Sequence, residues 1–374
     1  MKRRLIVFVG VLLAGLLSRG AFAADAVKIG LMAPLTGAFA SEGKDMRAVI
    51  ELLAEELNKQ GGINGKKVEV VVEDDGSDPR TAANAANRLV SKGLKLVIGT
   101  YGSAVTEATQ DIYDEAGAVQ VATGSTSIRL TSKGLKNFLR TSPRDDEQAR
   151  VAVDTLRKLG SKKIAILHDN SAYAKGLADE AKGLIDKDKQ FSLVFFDALQ
   201  PGEQDYTAII TKLKGANPDI IFFTGYYTEA GMLLRQMRAA KWDVPLLGGD
   251  ATNNVDLVKI AGTDAAAGYR FISPPLPGDL NTPLVKNFLA AYVAKYNAPP
   301  SSIWSVAGGD AFNVLVEAVK HAGDDPKAVS EYLHAKLKDF DGLTGKISFD
   351  AKGDRVGDLY RMYEVDKAGK FILK

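Results

Sequence analysis

The chain has 374 residues, 46% hydrophobic and 25% charged, with 48 basic and 46 acidic residues and no cysteine. Charge this balanced, with no basic cluster, excludes a nucleic-acid-binding footprint. The missing cysteines exclude a disulfide framework and thiolate metal sites.

The first residues read as an export leader. Lys2, Arg3 and Arg4 precede an apolar run over residues 5–17, and Ala21-Phe22-Ala23 supplies small residues at a cleavage position. Residues 1–23 are therefore expected to be a signal peptide, cut after Ala23, with the mature chain in the periplasm. No cysteine follows the apolar run, so lipid attachment there is excluded. No later stretch has the apolar length of a membrane-spanning helix. The leader carries Lys2, Arg3, Arg4 and Arg19 and no acid, which leaves 44 basic against 46 acidic residues and a formal charge of −2. The remaining length favours two domains.

Strand and helix signals alternate along the chain. A strand is predicted at 27–32. A helix follows at 44–60, with Met46, Val49, Ile50, Leu53 and Leu57 at helical spacing. The turn Gly61-Gly62-Ile63-Asn64-Gly65 leads to a strand at 67–73, and Asp78-Pro79 opens a helix to 91. Short apolar runs at 94–99 and 119–122 flank a further helix. After Arg140 the pattern resumes with helices at 147–159, 173–188, 206–215 and 228–240. Strands are expected at 163–167, 191–196, 219–223, 244–248 and 269–273. Such alternation implies parallel sheets covered by helices on both faces. There are too many units for one sheet, and Ser142-Pro143 marks a break. The tail reads as helices at 283–296, 307–321 and 327–337, then hairpin-like strands at 345–349 and 360–365. The tail helices are expected to return to the first lobe.

Two loops carry the functional signal. Gly102-Ser103 and Thr123-Gly124-Ser125-Thr126 each follow a predicted parallel strand, where open α/β sheets bind ligands. Ser103 would open a helix whose unpaired amides and dipole suit a carboxylate. The carbonyls and hydroxyls of the second loop suit an ammonium. A carboxylate beside an ammonium describes an amino acid, although either loop taken singly is also an ordinary helix cap. Catalytic patterns are missing. No serine lies in G-x-S-x-G. His168, His321 and His334 are dispersed, although His168 stands beside Asp169. Residues 74–78 fail the calcium-loop spacing, and 61–67 fail the nucleotide-loop spacing. No enzyme, cofactor or metal is expected.

Several segments in order resemble the periplasmic leucine/isoleucine/valine-binding proteins, the type I solute-binding receptors of ABC importers. They are Ala33-Pro34-Leu35-Thr36-Gly37, residues 58–65 followed by Asp74-Asp75, Val97-Ile98-Gly99 with Ser103, and Asp111-Ile112-Tyr113. His168-Asp169 with Tyr173, Gly225-Tyr226, Leu234-Arg235-Gln236 and Phe349-Asp350 with Gly353-Asp354 complete the series. The likeness implies an α/β fold of two doubly wound parallel-sheet lobes joined by a three-segment hinge, closing on a ligand. The lobes are expected to comprise residues 24–143 with 274–348, and 144–273 with 349–374. It also implies a monomeric receptor that delivers an amino acid to an inner-membrane permease complex. The alternative is the same fold binding a small carboxylate, aromatic acid or amide, for uptake or as a sensor.

Carried over position by position, the resemblance makes Ser103 the carboxylate residue. Gly124, Ser125 and Thr126 become the loop around the zwitterion, Asp250 the ammonium partner, and Tyr173 and Tyr226 the closing aromatics. Trp304 becomes a wall of the side-chain pocket. Glu42 stands where an aromatic is implied against the ligand side chain. Either Phe39 replaces that wall while Glu42 turns away or pairs, or the ligand side chain is polar or cationic.

Overall fold

The computed structural model describes residues 26–374; the expected leader and its cleavage position lie outside the described residues. The first half runs β1 (Val27–Ala33), α1 (Ala40–Lys59), β2 (Val68–Asp74), α2 (Pro79–Ser91), β3 (Leu96–Ile98) and α3 (Ser103–Glu115). It continues through β4 (Val119–Ala122), α4 (Arg129–Ser132) and β5 (Phe138–Arg140). Its five strands form one parallel sheet in the order β2-β1-β3-β4-β5. The second half runs α5 (Asp145–Lys158), β6 (Lys163–His168), α6 (Ala172–Ile185), β7 (Ser192–Ala198), α7 (Thr207–Ala216), β8 (Ile220–Phe223) and α8 (Tyr227–Ala239). Then come β9 (Leu246–Gly248), α9 (Asp256–Ala261), α10 (Thr263–Ala266) and β10 (Arg270–Ser273).

Three helices follow: α11 (Pro283–Tyr296), α12 (Ile303–Ala322) and α13 (Pro326–Ala335). The chain ends in β11 (Phe340–Gly342), β12 (Gly345–Ile347), β13 (Arg361–Val365) and β14 (Phe371–Leu373). The second sheet has the order β14-β13-β10-β9-β8-β6-β7, parallel except where β13 pairs antiparallel with both β10 and β14. The doubly wound, two-lobed architecture is thus the observed one, and α11 to α13 do return to the first lobe, where α12 packs along α1.

Local chemistry sets the helix starts. Asp78 accepts from the Thr81 amide and Ser171 from the Ala174 amide, each capping the helix that follows. Helix α12 begins four residues before its predicted start, at the cap Ser302, whose Oγ accepts from the Trp304 amide. Gly308 and Gly309 weaken the helical signal there for a packing reason. A Cβ on Gly308 would lie 2.5 Å from Met46 Cγ, and one on Gly309 2.8 Å from Val49 Cγ1. The glycines let α12 and α1 approach closely, and burial on nearly all sides removes any polar face from the pattern.

The expected C-terminal hairpin is corrected. β12 pairs with β11, whereas β13 pairs with β10 and β14 in the other sheet. Strand propensity was legible, but choice of partner is tertiary. The expected boundary at 348/349 also falls too early. Phe349 is buried and bridged to Arg355, the Arg140 amide donates to the Gly353 carbonyl, and Arg355 donates to the carbonyls of Thr141 and Thr344. Residues 349–355 therefore belong to the first lobe, and the chain joins the second sheet only at Arg361.

A buried ion pair ties this region together. Arg140 Nε donates to Asp354 Oδ1 at 2.6 Å, with both side chains removed from solvent. The guanidinium also donates to the carbonyls of Ser125 (3.1 Å) and Ser127 (2.8 Å) and to Thr131 Oγ1 (3.0 Å). Asp354 Oδ2 accepts from Arg144 and Thr131. Asp354→Ala leaves the Arg140 charge buried and uncompensated, so it should lower unfolding stability by about 3–5 kcal/mol. Denaturant titration of the chain from residue 24 measures this; a loss below about 1 kcal/mol would contradict it.

Candidate functional site

Both sheets turn the C-terminal ends of their parallel strands toward each other. From the first lobe come the segments after β1, β3 and β4; from the second come those after β6, β8 and β9. The facing surfaces touch. Phe39 stacks on Tyr226 with centroids 4.2 Å apart, Tyr227 Oη donates to the Ala38 carbonyl, and Trp304 Nε1 donates to the Asp250 carbonyl at 3.2 Å.

Ser103 is the first residue of α3, where the leading amides have no partner within the helix. Its Oγ accepts from the Ser127 amide at 3.2 Å, which pins one loop against the other. Gly124 lies against the Tyr101 ring, where an added Cβ would come within 2.5 Å of Cδ2. The Ser125 hydroxyl donates to the carbonyls of Thr100 and Tyr101, so that side chain braces the first lobe's own loops. Ser125 thus differs from the ligand-facing role the resemblance implies. Thr126 is fully buried, and its Oγ1 has no protein hydrogen-bond partner.

The second lobe supplies the acid. Asp250 Oδ2 accepts from Tyr360 Oη at 2.6 Å, and its amide donates to Gln148 Oε1 at 2.8 Å. Burial raises its pKa to about 7 against the lowering effect of hydrogen bonds from Tyr360, Tyr173 and Gln148. The Tyr173 hydroxyl accepts from the Ala251 amide, and its ring lies 5.3 Å from that of Tyr226. Tyr226 also borders Tyr101, at 6.1 Å, so Phe39, Tyr101, Tyr173 and Tyr226 form one aromatic group spanning the lobes.

Glu42 is completely buried. Oε1 accepts from Asn254 Nδ2 at 2.7 Å and Oε2 from Ser302 Oγ at 2.6 Å. Of the readings open from sequence, exposure to solvent is overturned: the carboxyl is paired, once within its lobe and once across to the other. Burial pushes its pKa up to about 8, against the hydrogen bonds from Ser302 and Asn254.

All the anticipated residues lie in or beside this interlobe region, together with four that sequence reasoning missed. Asp145 and Gln148 open α5, where the only signal was the break at Ser142-Pro143. Tyr360 was read as a strand residue. Tyr101 sits in a loop valued for its small residues. Buried oxygens without a protein partner gather here: Tyr101 Oη, Thr126 Oγ1, Ser127 Oγ and Asp145 Oδ2. His168 Nδ1 accepts from the Asn170 amide, and no cluster of three or more metal-ligating side chains occurs among the described residues.

Two doubly wound lobes that meet at their strand ends over a buried aromatic and acidic cluster define the class of solute-binding proteins. The chain belongs to the periplasmic binding protein family, whose sequence profile matches residues 26–370. It is 35% identical over 362 residues to a leucine-, isoleucine-, valine-, threonine- and alanine-binding protein of Pseudomonas aeruginosa, covering 96% of this chain and 95% of that one. Among solved structures it is similar to the branched-chain amino-acid transporter substrate-binding protein LivJ of Streptococcus pneumoniae in complex with isoleucine. That match has a TM-score of 0.83, 31% identity, and coverage of 94% of this chain and 100% of the other. A leucine-binding protein of Thermotoga maritima superposes with a TM-score of 0.86 at 28% identity, over 93% of this chain and 98% of the other. The family is one of binding proteins, not enzymes.

Glu42 makes stability depend on pH. Its folded pKa lies above the ordinary value of 4.5, so its contribution is complete below that value and is lost as pH rises through about 8. Glu42→Gln keeps the acceptor for Asn254 and cannot ionise. The melting temperature of the variant relative to the parent should therefore rise from about pH 6 to about pH 9. Parallel profiles would show that Glu42 does not titrate within the fold.

Proposed function

We propose that the protein is a periplasmic receptor that binds an aliphatic L-amino acid between its lobes and presents it to an ABC permease complex in the inner membrane. The leader is removed after Ala23, and the mature receptor acts as a monomer without a cofactor. The observation that carries this reading is a chain of hydrogen bonds that ties three groups together across the lobes. Ser103, at the amide-bearing start of α3, accepts from Ser127 next to Thr126; Thr126 accepts from the Asp145 amide; and Gln148 joins Asp145 to the buried Asp250.

In this reading the ligand carboxylate sits on Ser103 and the first amides of α3, where the helix dipole favours negative charge. The ammonium is held by the Gly124 carbonyl, Thr126 Oγ1 and Asp250. The aromatic rings of Phe39, Tyr101, Tyr226 and Trp304 enclose the side chain and exclude water, which strengthens both charge contacts. Glu42 supports that wall indirectly. With both oxygens engaged by Asn254 and Ser302, it stands as a paired group behind an apolar surface, which favours an aliphatic ligand over a cationic one. The similarity to proteins named for branched-chain amino acids supports the same class. Binding energy shifts the lobes toward the closed form, which is what a membrane partner can read.

A thermal-shift panel on the chain from residue 24, unfolded and refolded to strip co-purified solute, tests the reading. Leucine, isoleucine or valine at 100-fold its dissociation constant should stabilise the protein by about 2.7 kcal/mol. Response only to basic or polar amino acids would put Glu42 in contact with the ligand. Response only to small aromatic or aliphatic acids would remove the ammonium contact. With the responding amino acid, Asp250→Ala should weaken binding by about 2–5 kcal/mol. Ser103→Ala should weaken it by about 1–3 kcal/mol. Wild-type affinity in both variants would displace the site.

A further inference from the structure

Asp145, the first residue of α5, is completely buried and incompletely paired. Its Oδ1 accepts from Gln148 Nε2 at 3.0 Å, whereas Oδ2 has no hydrogen-bond partner in the protein. The Thr126 hydroxyl is turned toward the same carboxyl and favours its ionised form without coming within full hydrogen-bonding distance, and the Asp145 amide donates to the Thr126 carbonyl. A buried acceptor without a donor is costly and demands an explanation.

The neighbouring charges do not remove the anomaly. Arg140, on β5, is the one nearby cation that acts on Asp145, but its donors are directed to Asp354, Ser125, Ser127 and Thr131. Arg144 is held by Asp146 and Asp354. The remaining titratable groups around the carboxyl are Asp250 after β9, Tyr360 before β13, Tyr173 on α6, Tyr226 before α8, and Asp146 on its own helix. Asp250 is joined to Asp145 by a short relay: Gln148 Nε2 donates to both Asp145 Oδ1 and Tyr360 Oη, and Tyr360 donates to Asp250 Oδ2. Two buried carboxyls linked in this way cannot both hold a charge unless a cation stands between them.

We infer that Asp145 is a second ligand-binding carboxylate of this site, and that it shares one proton with Asp250 in the ligand-free protein. This rests on the amino-acid reading above and deepens it. The shared proton lies toward Thr126 when no cation is present. The arriving ammonium supplies its own N–H donors to Asp145 Oδ2, Thr126 Oγ1 and Asp250, both carboxyls ionise, and the displaced proton leaves to solvent. Burial pushes both acids upward, Asp145 strongly, and each carboxylate raises the other further. The site thereby discriminates by charge, because a neutral amide or hydroxyl cannot repay the loss of that proton. Binding should strengthen as pH rises through the range in which the ligand-free pair ionises.

Calorimetric titration with leucine, isoleucine, valine, threonine and alanine at about pH 7, in phosphate and again in Tris, tests this. The two buffers differ widely in ionisation enthalpy, so proton release appears as a difference in heat. About one proton should be released per amino acid bound. Asp145→Asn keeps the acceptor for Gln148. It should abolish the release and weaken binding about tenfold or more. Binding with equal heats in both buffers overturns the inference and leaves the amino-acid reading intact. So does an Asp145→Asn protein with unchanged affinity and proton count. Absence of binding heat for every amino acid overturns the reading and the inference together. Should the variant fail to fold, the two-buffer measurement on the parent decides alone.

Discussion

The guanidinium of Arg140 is the constraint on which most of this molecule depends. It stands at the end of β5, where the chain leaves the first sheet, and its donors reach three places at once. They hold the carbonyls of the loop after β4, the Thr131 hydroxyl of α4, and the carboxylate of Asp354 on the segment that later crosses to the second sheet. A buried cation of this kind tolerates only fully paired surroundings, so the loop bearing Gly124 and Thr126 cannot drift without uncovering it. The crossing segments are held by the same group: Arg144 shares Asp354 with Arg140, and the neighbouring Arg355 reaches the Thr141 carbonyl. Site and hinge are thus parts of one hydrogen-bonded assembly.

The interlobe region is acidic where it is most buried, and that is its second governing feature. Glu42, Asp145 and Asp250 are all removed from solvent, and burial raises the pKa of each. They differ in what surrounds them. Glu42 has a donor on each oxygen and behaves as a lobe-to-lobe fastener. Asp250 is oriented by Tyr360. Asp145 keeps an oxygen that no protein group satisfies. Similar chemistry is therefore placed in different surroundings, and the three acids are set apart by the number of donors that reach them.

Much of the architecture was legible in the sequence because parallel strands and their covering helices leave strong periodic signals. The loops at Ser103 and Thr126 were legible for the same reason: their place after short apolar runs follows from the βα repeat. What could not be read depends on pairing between distant segments. Nothing in residues 345–365 announces that β12 and β13 belong to different sheets. Asp145 looks like any acidic residue in the first turn of a helix, a position that favours acids for dipole reasons alone. Glu42 was recognised as out of place, yet its partners, Asn254 and Ser302, lie more than two hundred residues away. The resemblance named the candidate residues, and the folded arrangement supplied the surroundings of the acids among them.

The interlock of α1 with α12 bears on how ligand size is measured. Glu42 lies in the first turn of α1 and Trp304 in the first turn of α12, and the two are linked through Ser302, which donates to one and caps the helix of the other. Because Gly308 and Gly309 allow the helices to seat into each other, this pair cannot slide or splay as the lobes move. On the amino-acid reading proposed above, the part of the wall that these helices carry is a rigid gauge held by the first lobe. Its span does not depend on how the second lobe sits, so a side chain would be measured at first contact, before closure is complete.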